Sequence, residues 1–321
     1  MLPDRVAALR DVQNLDALYA RLGEIHVTAG WNKREPSLYP EPKRNFEPTH
    51  WRWDECKSAI DAAGRLIGTE EAERRNLVLF NPVDPKQYAT TRTLVAAYQM
   101  ILPGEHARTH RHSPHALRLV LEGEGAYTVV DGARLEMHPG DVVLTPGGCW
   151  HGHGNDGPGP CYWLDCLDVP LAHLLEPVFF EPHPAGCAPI ESRPLASPYL
   201  FPWQETRRRL AAAAPDPDGC FGFRVELGAP ALPTSAVSMQ RLPAGFATRP
   251  QRTTANQLFC VVEGSGRSTI GGVRFAWRPG DVFAAPCWRP LQHEATSDAT
   301  LFCMSDEPLQ RFCGYLRTAR S

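Results

Sequence analysis

Seven of the twelve histidines fall between positions 106 and 153: His106, His110, His112, His115, His138, His151 and His153. His110-Arg111-His112 spaces two imidazoles two residues apart, and on a strand such side chains project from one face. They can therefore share a metal ion. His151 follows PGDVVLTPGGCW, in which a Pro-Gly-Asp turn starts a second strand, and it offers a third imidazole from across a barrel. His153 repeats the two-residue spacing. Three neutral imidazoles suit Fe, Zn, Cu or Ni, so the donors alone leave the metal open. A lone histidine is more often a satisfied core or surface group, and His106, His115, His138, His173 and His183 are read that way. Other chemistries lack a motif: there is no Gly-x-Ser-x-Gly elbow, no phosphate loop and no Cys-x-x-Cys pair.

The elements that must position these residues are mostly strands. From about Leu94 onward, TLVAAYQMIL, ALRLVLEGEGAYTVV, RLEM and DVVLTP read as short strands separated by turns, the pattern of a sandwich or barrel. Thirty-one prolines in 321 residues, about twice the usual share, also disfavour long helices. Helices gather at the N-terminus. The spacing of Val6, Leu9, Val12, Leu15, Leu18, Tyr19 and Leu22 predicts one amphipathic helix over residues 5–22, with others over Trp53–Leu66 and Glu70–Arg75. The proline-rich run 182–202 reads as a linker, and WQETRRRLAAAA after it as a helix.

The pattern then returns. LPGEHARTHRHSPHALRLVLEGEGAYTVVDG overlays LPAGFATRPQRTTANQLFCVVEGSGRSTIGG, and MHPGDVVLTPGGCW overlays WRPGDVFAAPCW. Gly104 maps to Gly245 and Gly140 to Gly280, offsets of 141 and 140, which indicates an internal duplication.

The first copy resembles the cupin signature. Gly104, His110, His112 and Gly123 match its first motif, except that Ala116 stands where that motif has glutamate. Gly140, Pro146, Gly148, His151 and Asn155 match its second motif throughout. The resemblance implies a mainly β bicupin: two double-stranded β-helix (jelly-roll) domains with a helical N-terminal arm. The expected boundaries are 1–75 for the arm, 76–181 for the catalytic cupin, 182–220 for the linker and helix, and 221–321 for the second cupin.

Ala116 cannot ligate, so an octahedral ion on three histidines keeps three free positions. Two can hold a bidentate substrate and the third dioxygen. With no anionic protein ligand, a dianionic chelate such as an ortho-hydroxy carboxylate is favoured. The stretches AERRNLVLFNP, AAYQMILPGEHARTHRHSPHALRLVLEGEGAYTVVDG, GDVVLTPGGCWHGHGN and YWLDCLDVPL resemble the bicupin gentisate 1,2-dioxygenases and their salicylate and 1-hydroxy-2-naphthoate relatives. That resemblance implies one Fe(II) per chain on His110, His112 and His151, and ring cleavage between the carboxyl- and hydroxyl-bearing carbons of a monocyclic ortho-hydroxybenzoate. It gives Arg118 the substrate carboxylate, and Gln99 a hydrogen bond to substrate or oxygen. It gives His153 the hydroxyl or dioxygen, Asp165 the orienting of a neighbour, and Arg74 a second anion contact. The resemblance also implies an aromatic residue where Val95 stands in TLVAA, so an enlarged or reshaped ring pocket is expected, which leaves open which substituents are accepted. The alternatives are a non-oxidative, isomerase-like metal cupin and a non-catalytic cupin that binds an aromatic acid.

In the second copy Gln251, Thr253 and Leu291 stand at the histidine positions and Gln257 at the glutamate. His293 and Arg252 remain nearby, but no ligand set does, so this copy is expected to support packing and, by resemblance, a homotetramer. With 33 basic and 36 acidic residues, net charge −3, the chain lacks the basic footprint for nucleic acid or anionic lipid, which points to a small-molecule partner. A charged N-terminus without a signal core, no apolar run of membrane length and unpaired cysteines lead to an expectation of a reducing cytoplasm.

Overall fold

Short alternating segments punctuated by Gly and Pro cannot bury themselves singly, and in the computed structural model they stack as four sheets. The structure describes residues 2–33, 35–72, 74–228 and 231–320. Contacts divide the chain into residues 1–43 and residues 44–321.

Within the first unit, the single helix expected over 5–22 is two, Leu2–Arg10 and Leu15–Glu24. The break has a local cause. Asn14 takes an extended backbone, and its side chain accepts the Ala17 N–H at 2.9 Å, satisfying an orphan donor and starting a new helix. Periodicity is blind to such a cap.

Within residues 44–321, the first repeat has a six-stranded sheet. Its order is Leu200–Phe201, Val142–Thr145, Ala116–Glu122, Cys161–Leu167, Val95–Ile101 and Arg75–Val78. Facing it are five strands ordered Phe180–Pro182, His106–His112, His151–Asn155, Ala126–Val130 and Ala133–Glu136. The second repeat copies both sheets, with Gln257–Glu263 and Ala299–Ser305 at the centre of one and Gly266–Ile270 and Leu291–Ala295 in the other. One apolar core, running from Trp53 through Tyr98, Leu119 and Leu164 to Cys260, Phe302 and Met304, joins the repeats.

The repeats are interlocked by their leading elements. The strand Thr49–Trp51 precedes the first repeat but pairs with Val282–Ala285 of the second, while Leu200–Phe201 precedes the second and pairs with Val142–Thr145 of the first. The helices that follow dock in the same crossed manner. Trp53 N–H donates to Asp281 at 2.8 Å and Trp203 N–H to Asp141 at 2.7 Å. Each indole lies on a glycine of positive φ, Gly280 (φ 86°) or Gly140 (φ 88°), where an added Cβ would come within 2.4 or 2.5 Å of the ring.

The helix expected over Glu70–Arg75 is shorter, Thr69–Ala72, and Arg75 opens the strand Arg75–Val78; Glu73 lies outside the described residues. Arg75 is buried, bonded to the Ile67 carbonyl and the Glu105 carboxylate, which fixes it to the sheet edge rather than to a solvated helix. No helix among the described residues is long and apolar enough to cross a membrane. All ten cysteines are free thiols.

Candidate metal and substrate site

His110 and His112 end the strand His106–His112, and His151 opens the neighbouring strand His151–Asn155, with His110 and His151 directly opposite in the antiparallel register. A bulge between Ala107 and His110 turns the end of the first strand. One ring nitrogen from each of the three histidines lies within 4.8 Å of the others. This is the one such group among the described residues.

The remaining ring nitrogens fix the tautomers. Nδ1 of His110 meets the Arg108 carbonyl at 3.1 Å, that of His112 the Pro114 carbonyl at 2.8 Å, and that of His151 the Cys149 carbonyl at 3.0 Å. A carbonyl only accepts, so each Nδ1 carries the proton and each Nε2 presents a lone pair. His151 Nε2 is buried with no hydrogen-bond partner. A buried acceptor left bare is costly unless something binds it, and a metal ion satisfies all three at once. The donor set fits a metal. Burial also holds the rings neutral, with His110 and His112 lowered to about 4 and His151 well below the usual range.

The other predicted residues form one buried polar chain beside the triad. Arg118, on Ala116–Glu122, is the cross-strand partner of Asp165 on Cys161–Leu167, with Nε 3.3 Å from the carboxylate, and its Nη1 donates to Thr145 at 2.7 Å. Gln99, on Val95–Ile101, donates to Asp165 at 2.5 Å and accepts from Arg74 Nε at 2.7 Å. Arg118 and Asp165 are 1% and 2% exposed. Burial pulls the guanidinium down to about 10, with Asp165 opposing, and raises the Asp165 carboxyl, with Arg118 and Arg74 opposing. Arg118 Nε and Asp165 Oδ1 nonetheless lack hydrogen-bond geometry to any group, so the pair is incompletely satisfied. Desolvation is the main cause that lowers His110, His112, His151 and His153, and the Arg118 charge adds to it in each.

His153 adds a fourth imidazole. Thr128 donates its hydroxyl to Met137 Sδ at 3.3 Å, so at 2.9 Å it accepts Nδ1–H of His153, leaving the buried Nε2 as a bare acceptor. Val95 is buried on the same strand face as Gln99. Arg74, expected on a helix, lies in the bend after it and donates its Nε–H to Gln99. His106, His138, His173 and His183 stand elsewhere, and His115 accepts the Gly147 N–H at 2.9 Å.

Thr145, Thr128 and the backbone carbonyls on the three Nδ1 atoms escaped sequence reasoning. The duplication held a signal for Thr128, since Ser268 at the equivalent position meets His293 Nδ1 at 2.7 Å. In that second repeat Gln251 pairs with Leu291, the register of His110 with His151, and Phe259 pairs with Cys303 where Arg118 pairs with Asp165.

Two jelly rolls, one with three convergent imidazoles, define a bicupin with one metal-type pocket among the described residues. The cupin domain model matches residues 97–167 and 238–305. Gentisate 1,2 dioxygenase 1 of Aquipseudomonas alcaligenes is 37% identical over 94% of this chain and 95% of its own length. The 5-aminosalicylate 1,2-dioxygenase of a Comamonas species is 34% identical over 95% and 90%. A crystal structure of salicylate 1,2-dioxygenase from Pseudaminobacter salicylatoxidans superposes with TM-score 0.87 at 30% identity, covering 97% of this chain and 98% of that one. The chain belongs to this family of bicupin ring-cleaving dioxygenases.

Proposed function

We propose that the chain binds one Fe(II) through His110, His112 and His151 and adds both atoms of O2 to a monocyclic ortho-hydroxybenzoate. The ring opens between the carboxyl- and hydroxyl-bearing carbons to give a keto acid. The observation that carries this reading is the triad of imidazoles whose Nε2 lone pairs converge, together with a buried, incompletely paired Arg118 whose charge acts on all three rings. Relatives of the chain named for gentisate and 5-aminosalicylate support the ring class.

Bound iron would hold substrate and dioxygen side by side and relay electron density from the ring to the oxygen, with no net change in its own oxidation state. Arg118 receives the substrate carboxylate, completing with a planar fork what Asp165 and Thr145 leave unfilled. His153, with Nδ1–H committed to Thr128, takes the phenolic proton at Nε2. Gln99 is held at both ends by Arg74 and Asp165, so its second amide proton keeps one orientation toward substrate or oxygen. Asp165 orients both Arg118 and Gln99, and Arg74 supplies a second positive charge for the anion. Val95, small on the Gln99 face, leaves room for a ring substituent.

A cytoplasmic homo-oligomer, a tetramer by resemblance, completes the proposal; the exposed Leu174, Leu175, Val178, Phe179 and Phe180 support association. The test is anaerobic Fe(II) loading followed by oxygen uptake and ultraviolet spectra with gentisate, salicylate and substituted salicylates. Uptake with at least one is expected, and none with any would refute the dioxygenase reading.

A further inference from the structure

Asp168 precedes the helix Val169–Leu175, the position from which aspartate ordinarily caps a helix, yet its side chain makes no cap bond. Its oxygens are committed elsewhere. One accepts the His115 N–H at 2.7 Å and the other the Thr234 hydroxyl at 2.6 Å, and the residue is 3% exposed. The His115 N–H is one end of the Pro114–His115 peptide. The other end, the Pro114 carbonyl, accepts Nδ1–H of His112 at 2.8 Å. In a trans peptide these ends point in opposite directions, so one amide stands between a buried carboxylate and a ring of the triad. A carboxylate acceptor on the N–H polarises the amide and makes its carbonyl a stronger acceptor. A stronger bond at Nδ1 fixes the ring and makes Nε2 a better donor to a metal.

The second repeat has the same device with no imidazole attached. Asp306, 1% exposed and likewise making no cap bond, accepts the Asn256 N–H at 2.7 Å and the Thr93 hydroxyl at 2.6 Å. Thr253 stands where the first repeat has His112. The Thr234–Asp168 and Thr93–Asp306 pairs thus join the repeats crosswise, and only one of them leads to a histidine of the triad.

We propose that Asp168, held by Thr234, is a positioning residue for the metal site. It acts through the Pro114–His115 peptide to orient His112 and strengthen its hold on the ion, so that the metal-free repeat supports the metal-bearing one. This rests on the reading of His112 as a ligand.

The test is Fe(II) affinity of the full chain, measured anaerobically by competition with a chromophoric chelator. Asp168→Ala is expected to weaken binding by about 10- to 100-fold and Asp306→Ala by no more than about twofold. If Asp168→Ala does not fold, Asp168→Asn and Thr234→Val carry the test with smaller losses in the same direction. In the metal-free chain, the 15N resonance of His112 Nδ1 should move in Asp168→Asn and stay in place in Asp306→Asn. Equal losses from the two aspartates overturn the proposal, as do unchanged affinity and an unmoved resonance in folded Asp168→Asn. His112→Ala separates the two levels. Unchanged iron binding there refutes the ligand reading itself, whereas lost binding there with unaffected Asp168 variants refutes only this inference.

Discussion

The first repeat buries Arg118 opposite Asp165, and at the same register the second buries Phe259 opposite Cys303. Around this difference the repeats agree in detail. Each has a hydroxyl on the Nδ1 of an equivalent histidine, a tryptophan on the glycine of its Pro-Gly-Asp turn, and a threonine–aspartate bond to its twin. The barrel therefore folds with or without the charged pair. Because desolvation offsets much of the attraction within a buried ion pair, stability does not explain Arg118, whereas its proposed role as the partner of the substrate carboxylate would.

That comparison can be broken most severely at the triad. His110→Ala should abolish iron binding and turnover together, while Gln251→Ala, at the equivalent position, should leave both nearly intact in metal analysis and oxygen uptake. Next comes the charge pair. Asp165→Cys alone strands a buried guanidinium and should lower unfolding free energy by about 3–5 kcal/mol in chemical denaturation. The double change Arg118→Phe with Asp165→Cys imports the second repeat's solution and should recover most of that loss while remaining inactive. Gly280→Ala requires a left-handed backbone and drives a methyl into Trp53, so a loss of about 1–3 kcal/mol is expected in the same assay. Thr128→Val should cost stability on the same scale, with the smallest effect on iron. It leaves a buried imidazole N–H without an acceptor, at about 1–3 kcal/mol, and should slow turnover with iron affinity unchanged.

The triad was legible because strand alternation and two spaced motifs act locally: His110, His112 and His151 need only their own strands and one turn. Arg118, Gln99 and Asp165 came from resemblance, and no local pattern shows that they form one buried chain, since that depends on the order in which three strands pair. The crossed elements were harder still. Trp53 meets Asp281 and Thr93 meets Asp306 only after the repeats fold on each other. A signal did exist in Trp53-Asp54-Glu55 and Trp203-Gln204-Glu205, which extend the duplication back beyond Gly104. Arg74 was misplaced on a helix because Glu-rich sequence reads as helical, whereas the buried Arg75 draws the chain into the sheet edge.

Iron stoichiometry tests the central claim, one working pocket in a pair of twins, most directly. Anaerobic Fe(II) titration should saturate at one ion per chain, fall to none in His110→Ala and remain at one in Gln251→Ala. Two ions per chain, or loss of iron in Gln251→Ala, would contradict the account.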